Sequence, residues 1–95
     1  MKIKLHTILG IKEVVGQRVT EHNVPQGTTV KDFLTYMKDI WGDKLSGRLF
    51  DPGCGAVFPH VRIMVNGQAI EFLDGMETPL KDGDEILILP PVSGG

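Results

Sequence analysis

The first positions of the chain alternate between apolar and polar residues, which is the pattern of a half-buried β-strand. Every second position from the N-terminus carries an apolar or β-branched side chain, at Ile3, Leu5, Thr7 and Leu9. This alternation predicts a first strand from Lys2 to Ile11. A short helical turn ending at Gly16 follows, and a weaker alternation at residues 18–24 predicts a second strand that pairs with the first.

A pattern of period 3.6 begins after Pro25-Gln26-Gly27 and predicts the main helix. One apolar stripe with spacings of three and four is formed by Val30, Phe33, Leu34, Met37 and Ile40 or Trp41. Because this spacing places the side chains on one face, we interpret the stripe as the side that packs into the core. Thr28 or Thr29 can cap the helix, with Asp32 favoured in its first turn, and Gly42 is placed to end it.

The segment from residue 43 to about residue 60 is rich in residues that interrupt helices and strands. It contains Gly47, Pro52, Gly53, Gly55 and Pro59. This composition predicts a long connecting loop without an element of its own.

Three short segments complete the predicted sheet. Residues 61–65 have the character of a third strand, and Asn66-Gly67 predicts a type I′ turn into a short fourth strand. After irregular residues 72–82, the turn Asp82-Gly83-Asp84 leads into a last, strongly apolar strand, Glu85 to Leu89.

The order of elements is two strands, one long helix, two strands and a final strand. Since the first and last strands are the most apolar, they are expected side by side in the middle of the sheet, with the helix on one face. The predicted fold is therefore α+β, a β-grasp with a mixed sheet of four to five strands packed on one main helix. We expect one domain, residues 1–89, followed by a flexible C-terminal tail, residues 90–95.

Composition narrows the classes of function. A chain of 95 residues has room for one modest core and not for a deep, enclosed active site, which favours a carrier or subunit over an enzyme. Its 10 basic residues are scattered and its net charge is −2, so no nucleic-acid partner is expected. No apolar stretch approaches membrane-spanning length and no signal peptide is visible, so we expect a cytoplasmic protein that does not interact with membranes.

The C-terminus carries the most informative motif, Ser93-Gly94-Gly95 directly after Pro90-Pro91. Two glycines without Cβ atoms can thread a narrow active-site channel, so the terminal carboxylate itself can be the reactive group. The alternative is a frayed end without a role, since chain termini are commonly small and disordered. The two prolines either hold the exit from the sheet extended or simply stop the strand.

These residues resemble the MoaD/ThiS family of ubiquitin-like sulfur carriers. The resemblance is carried by the ending D-G-D-E…P-P-V-S-G-G, by Val65-Asn66-Gly67 and by the amphipathic helix after Thr28-Thr29, and so spans essentially the whole chain. It implies that an E1-like adenylyltransferase uses ATP to adenylate Gly95, and that the acyl adenylate becomes a thiocarboxylate. Gly94 would be the slim approach path, and the chain would be a protein substrate with no bound cofactor.

The resemblance leaves two sulfur acceptors open. Molybdopterin-synthase small subunits share Pro-Pro-Val-x-Gly-Gly but commonly have an aromatic residue where this chain has Leu89. Three segments are more similar to carriers that feed cysteine synthesis: Arg48-Leu49-Phe50-Asp51-Pro52, residues 61–66 and Ile88-Leu89-Pro90. The acceptor is accordingly a molybdopterin-synthase large subunit or a cysteine-synthase-like enzyme.

Two other classes of function remain alongside the sulfur carrier. A protein modifier would use the same adenylate to join Gly95 to lysines of target proteins through isopeptide bonds. A plain β-grasp interaction module would carry an inert tail.

The last strand also predicts a partner-binding surface. If Ile86 and Ile88 point at the helix, alternation sends Leu87 and Leu89 to the opposite face, where they would form an apolar patch with Ile8. The alternative is that the middle loop covers them. We expect a partner to contact this patch together with the start of the tail, which consists of Pro90, Pro91, Val92 and Ser93.

The chain contains a single cysteine, Cys54, in a glycine-rich segment without a neighbouring basic residue. A reactive thiol needs an electropositive setting, so we interpret Cys54 as incidental. The three histidines, His6, His22 and His60, lack the spacing of metal ligands, and no metal site is expected.

Overall fold

The structure is a computed structural model that describes residues 1–50 and 61–89. Within these ranges it contains five strands, β1 Lys2–Thr7, β2 Val19–Asn23, β3 Arg62–Val65, β4 Gln68–Ala69 and β5 Glu85–Leu89. It also contains three α-helices, α1 Leu9–Val15, α2 Val30–Trp41 and α3 Asp43–Leu49. Two short 3₁₀ helices, Ile70–Phe72 and Gly75–Glu77, lie between β4 and β5.

The strands form one mixed sheet in the order β2-β1-β5-β3-β4. The central strands β1 and β5 are parallel, with Leu5 opposite Ile86, and the other neighbours are antiparallel. With α2 packed on one face, this arrangement confirms the predicted β-grasp and the central position of the first and last strands. The boundary between residues 1–89 and the tail stays a prediction, because residues 90–95 lie outside the described part.

The main helix confirms the prediction made from its apolar stripe. A capping box starts α2, since the Thr29 hydroxyl accepts from the Asp32 N–H at 3.2 Å and the Asp32 carboxylate accepts from the Thr29 N–H at 3.3 Å. Gly42 ends the helix with a φ of 65°. The buried stripe of α2 and the inward face of the sheet make up most of the core, with Val30, Phe33, Leu34, Met37, Ile3, Leu5, Ile63, Val65, Ile86 and Ile88.

The first strand is shorter than predicted. It ends at Thr7, and Leu9 to Val15 form α1, which ends at Gly16. The alternation of apolar residues continues past Thr7 by coincidence, because Ile11 packs into the core as part of α1 and not as part of the sheet. The helical turn predicted after Ile11 is therefore a seven-residue helix that begins earlier.

The prediction of an unstructured segment from residue 43 is wrong for its first part. Residues Asp43–Leu49 form α3, which packs against α1 and α2. Leu45 and Leu49 are one turn apart and fully buried, and burial of this pair offsets the low helix propensity of Gly47. Residues 51–60, which hold the remaining glycines and prolines of the predicted loop, lie outside the described residues.

Candidate functional site

The candidate site is built around β5, the strand that leads directly into the tail. It lies in the middle of the sheet, paired with β1 on one side and with β3 on the other. Its last residue, Leu89, lies opposite Arg62 at the start of β3. The tail of residues 90–95 therefore continues from a strand that is fixed on both sides.

The motif Asp82-Gly83-Asp84 fixes the beginning of β5. The Asp82 carboxylate accepts from the Lys2 N–H at 2.7 Å, and the Gly83 N–H donates to the Lys2 carbonyl at 2.8 Å. Gly83 has a φ of 87°, a conformation that favours glycine. These bonds tie the turn to the first residue of β1, so the motif sets the register of the two central strands.

Asn66, which follows β3, binds the start of β5 from the other side. It occupies the type I′ turn with a φ of 51°, followed by Gly67 with a φ of 84°, which confirms the predicted turn. Its side chain accepts from the Glu85 N–H at 3.0 Å and donates to the Asp84 carboxylate at 2.9 Å. The motif residues that carry the resemblance therefore stabilise the start of β5, the strand that leads into the tail.

The side chains of β5 alternate as predicted. Ile86 and Ile88 are 0% exposed and face α2, whereas Leu87 and Leu89 are partly exposed on the opposite face. The predicted assignment of these side chains to the two faces of the sheet is thus confirmed. A role of the two leucines in binding a partner stays a prediction.

We call the side of the sheet away from α2 the open face. Cross-strand pairs place Val19, His6, Leu87 and Met64 in one row across four strands. Val19 is 40% exposed, and the other three are partly exposed. Ile8, which follows β1, is partly exposed as well. The centre of the open face is therefore mainly apolar and partly exposed.

Charged residues surround this apolar row with mixed sign. Lys4 lies opposite both Glu21 and Glu85, and Arg62 lies opposite Leu89. His6 and Glu85 form a pair, with Nε2 and Oε1 at 2.7 Å. An apolar centre with a polar rim is the usual composition of a protein interface.

The predicted tail residues Pro90, Pro91, Val92, Ser93, Gly94 and Gly95 lie outside the described residues, as do Cys54 and His60. The proposal that the middle loop covers Leu87 and Leu89 also falls on undescribed residues. Of the predicted site residues, the structure therefore describes Leu87 and Leu89, which lie on the same face of β5.

Two residues of the open face were missed by the sequence analysis. Met64 lies opposite Leu87, and Val19 lies opposite His6. Alternation within β3 separates Met64 from the buried Ile63 and Val65, so its direction could have been predicted. Its position beside Leu87 depends on strand register, which a single sequence does not contain.

A cluster of aromatic side chains joins the edge strand β2 to α2 around His22. The His22 ring packs edge-on against Phe33, Tyr36 and Trp41, with ring centroids 5.8, 5.4 and 5.7 Å apart. Its Nδ1 lies 3.0 Å from the Tyr36 hydroxyl, and its Nε2 lies 2.7 Å from the Thr20 hydroxyl. Burial lowers the pKa of His22 below the ordinary value of a histidine.

The described residues offer neither a metal site nor a membrane-spanning helix. No group of three or more histidine, cysteine, aspartate or glutamate side chains in residues 1–50 and 61–89 is placed to hold a metal ion. Across the same ranges, none of the helices has the length and apolar character needed to cross a membrane.

Comparison with known proteins agrees with this geometry. The model of the ThiS family matches residues 10–95. Small archaeal modifier protein 3 from Haloferax volcanii is 40% identical over 95 residues, which cover 100% of both chains. The sulfur carrier protein CysO from Mycobacterium tuberculosis is 42% identical over 52 residues, 54% of this chain and 56% of that protein.

A solved structure supports the same assignment. The crystal structure of SAMP1 from Haloferax volcanii superposes with a TM-score of 0.85 at 27% identity and covers 100% of both chains. The match of the family model over most of the chain, the full-length relative and the shared β-grasp agree with one another. The chain belongs to the ThiS family, a family of small ubiquitin-like sulfur carriers and protein modifiers.

Proposed function

We propose that this protein is a sulfur carrier whose Gly95 carboxylate is adenylated by an E1-like enzyme and converted to a thiocarboxylate. The observation that carries the proposal is the continuity of the Gly-Gly ending with β5. Backbone N–H groups donate to the Asp82 and Asn66 side chains and so fix the start of this strand, which lies in the middle of the sheet. Because the base of the tail is fixed, a partner that binds the open face has the terminal carboxylate only six residues beyond the end of β5.

The chemistry explains why an activating enzyme is needed. A carboxylate is a poor acylating agent until one of its oxygens belongs to a good leaving group. Attack of the Gly95 carboxylate on the α-phosphorus of ATP releases pyrophosphate and forms an acyl adenylate. A sulfide-level nucleophile supplied by another protein then attacks the acyl carbon, AMP leaves, and a thiocarboxylate results. In this scheme ATP belongs to the activating enzyme, and this chain is its substrate, not a catalyst.

The sulfur would then pass to a biosynthetic enzyme bound at the open face. The similarity to CysO supports an acceptor in cysteine synthesis. The Pro-Pro-Val-Ser-Gly-Gly ending supports a molybdopterin-synthase large subunit, although Leu89 stands where those small subunits commonly have an aromatic residue. Both acceptors require the same thiocarboxylate, so the proposal on Gly95 does not depend on the choice.

A second candidate function is protein modification. It is favoured by the full-length similarity to a protein named as a small archaeal modifier. In this case the amine of a target lysine attacks the acyl adenylate, AMP leaves, and an isopeptide bond to Gly95 forms. Activation is common to both functions, and they differ only in the nucleophile.

Adenylation is tested by incubating the chain with its purified activating enzyme and ATP labelled at the α-phosphate. We expect labelled AMP on the full-length chain and none on a chain that lacks Gly95. The Cys54→Ser variant is the matched control, because it removes the only thiol and leaves the C-terminus intact; it should be labelled like the wild type. Equal labelling of the chain without Gly95 would contradict the proposed function.

A further inference from the structure

Phe72 is the most exposed of the large apolar side chains that the structure describes, at 84%. It lies in residues 70–77, a segment formed by the two 3₁₀ helices, which we call the Phe72 turn. A phenylalanine left in water forgoes the stability that burial would give it. Because most of the ring is accessible, its apolar surface is available to a partner.

Apolar contacts with the core and local hydrogen bonds fix the Phe72 turn in place. Ile70, Leu73 and Met76 follow one another at intervals of three, the period of a 3₁₀ helix, and all three contact the core. The Leu73 N–H donates to the Ile70 carbonyl at 2.9 Å. The buried Thr78 hydroxyl accepts from the Asp74 N–H at 3.1 Å and donates to the Gly75 carbonyl at 2.7 Å. Phe72 is outside the anchored row and is therefore held outward by a fixed backbone.

The chain segment around Phe72 is acidic. Three exposed carboxylates, on Glu71, Asp74 and Glu77, repeat at the same interval of three. Residues 69–80 contain no lysine or arginine. None of the three carboxylates forms an ion pair with another side chain of the described ranges. A complementary partner therefore needs an apolar pocket for the ring and lysine or arginine side chains around it.

We propose that Phe72 and these carboxylates form a second docking surface, outside the open face, for the enzyme that activates Gly95. This inference rests on the proposed function. An enzyme that binds the triphosphate of ATP carries positive potential around its active site, and this potential attracts an acidic carrier surface. The open face, with charges of both signs, offers no such attraction. Because the turn is anchored, docking of Phe72 loses little conformational freedom.

The proposal is tested by ATP–pyrophosphate exchange, with the purified activating enzyme and the full chain as the varied substrate. Substitution Phe72→Ser should raise KM about tenfold or more, since the contact of one aromatic ring is lost, with kcat and the melting temperature unchanged. The matched control is Ile40→Ser, which removes another exposed apolar side chain, 48% exposed on α2, and should leave KM unchanged.

A second variant, with Glu71→Gln, Asp74→Asn and Glu77→Gln, tests the charge. Its KM should be raised several-fold at low salt and should respond less to added NaCl than that of the wild type. If the wild type supports exchange and Phe72→Ser has the same KM as the wild type, the inference is overturned and the proposed function is left intact. A lower melting temperature of Phe72→Ser, with wild-type salt dependence in the charge variant, would also overturn it. Absence of exchange with the wild type would overturn the proposed function itself.

Discussion

Leu87 and Ile88 are neighbours in β5, yet their side chains have opposite surroundings. Ile88 is 0% exposed under α2, and Leu87 lies on the open face between His6 and Met64. An aspartate in place of Ile88 would bury an unpaired charge, whereas the same charge at Leu87 stays in contact with water. The two positions therefore separate folding from binding within one strand.

We expect Leu87→Asp and Leu89→Asp to lower the free energy of unfolding by about 1 kcal/mol each, since their burial is partial. Ile88→Asp should cost about 4 kcal/mol or more and leave the domain largely unfolded. Thermal unfolding of the three variants measures the difference. The two leucine variants should remain folded and bind the activating enzyme more weakly than the wild type does. Unfolding of the leucine variants beside a stable Ile88→Asp would contradict the direction of the strand.

His22 makes the stability of the protein depend on pH. Its pKa is lowered in the folded state because the ring is partly buried among aromatic side chains. Below the ordinary pKa of about 6.5, the unfolded chain therefore binds a proton more readily than the folded protein does. The contribution of neutral His22 is fully present above this pH and is lost as the pH falls from there towards the folded-state pKa.

Urea unfolding between pH 7.5 and pH 5.5 should accordingly show a decrease in stability that is smaller in His22→Gln. The matched control is His6→Gln, which removes an imidazole from the open face and not from the aromatic cluster. An unchanged pH dependence in His22→Gln would contradict this assignment.

At the level of elements, the sequence predicted those whose pattern is long or strongly apolar. The stripe of α2 spans three turns, and residues 86–89 of β5 form a continuous apolar run, so both elements were predicted. Helix α3 has only two core residues, Leu45 and Leu49, and holds Gly47 in its middle. Its stability comes from packing against α1 and α2, which is tertiary information that a single sequence does not display.

The corrected element α3 is tested by its glycine. Gly47 lies within the helix with open space where a Cβ would be, so Gly47→Ala should stabilise the protein by about 0.5–1 kcal/mol. Gly42→Ala is the control at the start of the same helix, because Gly42 has a φ of 65° and alanine there should destabilise. Chemical denaturation measures both. A destabilising Gly47→Ala would argue against a helix at residues 43–49.

The capping box of α2 gives a second prediction at this scale. Thr29→Ala removes the hydroxyl that accepts from the Asp32 N–H and should cost about 1 kcal/mol of stability. Thr35→Ala removes an exposed hydroxyl that donates to the Lys31 carbonyl within the same helix and should be nearly neutral. Equal denaturation midpoints for the two variants would show that the cap contributes nothing.

For the molecule as a whole, the predictable part of the candidate site is the part encoded along single strands. Alternation predicted the direction of Leu87 and Leu89, but it could not place Val19 and Met64 in the same row, because strand register is set by the fold. Phe72 escaped notice because the three-residue period around it belongs neither to an α-helix nor to a strand. The short-range signals therefore predicted the core and the exposed side of β5, and the neighbours of Leu87 on the open face required the structure.

The central claim is that the C-terminus of this chain carries activated sulfur. It is tested most directly by isolating the protein from its native cell and measuring the mass of its C-terminal peptide. The account predicts a fraction of molecules in which one oxygen of the Gly95 carboxylate is replaced by sulfur, and loss of that fraction when the activating enzyme is deleted. An unmodified Gly95 carboxylate in every molecule, or Gly95 found only in isopeptide bonds to lysine, would contradict it.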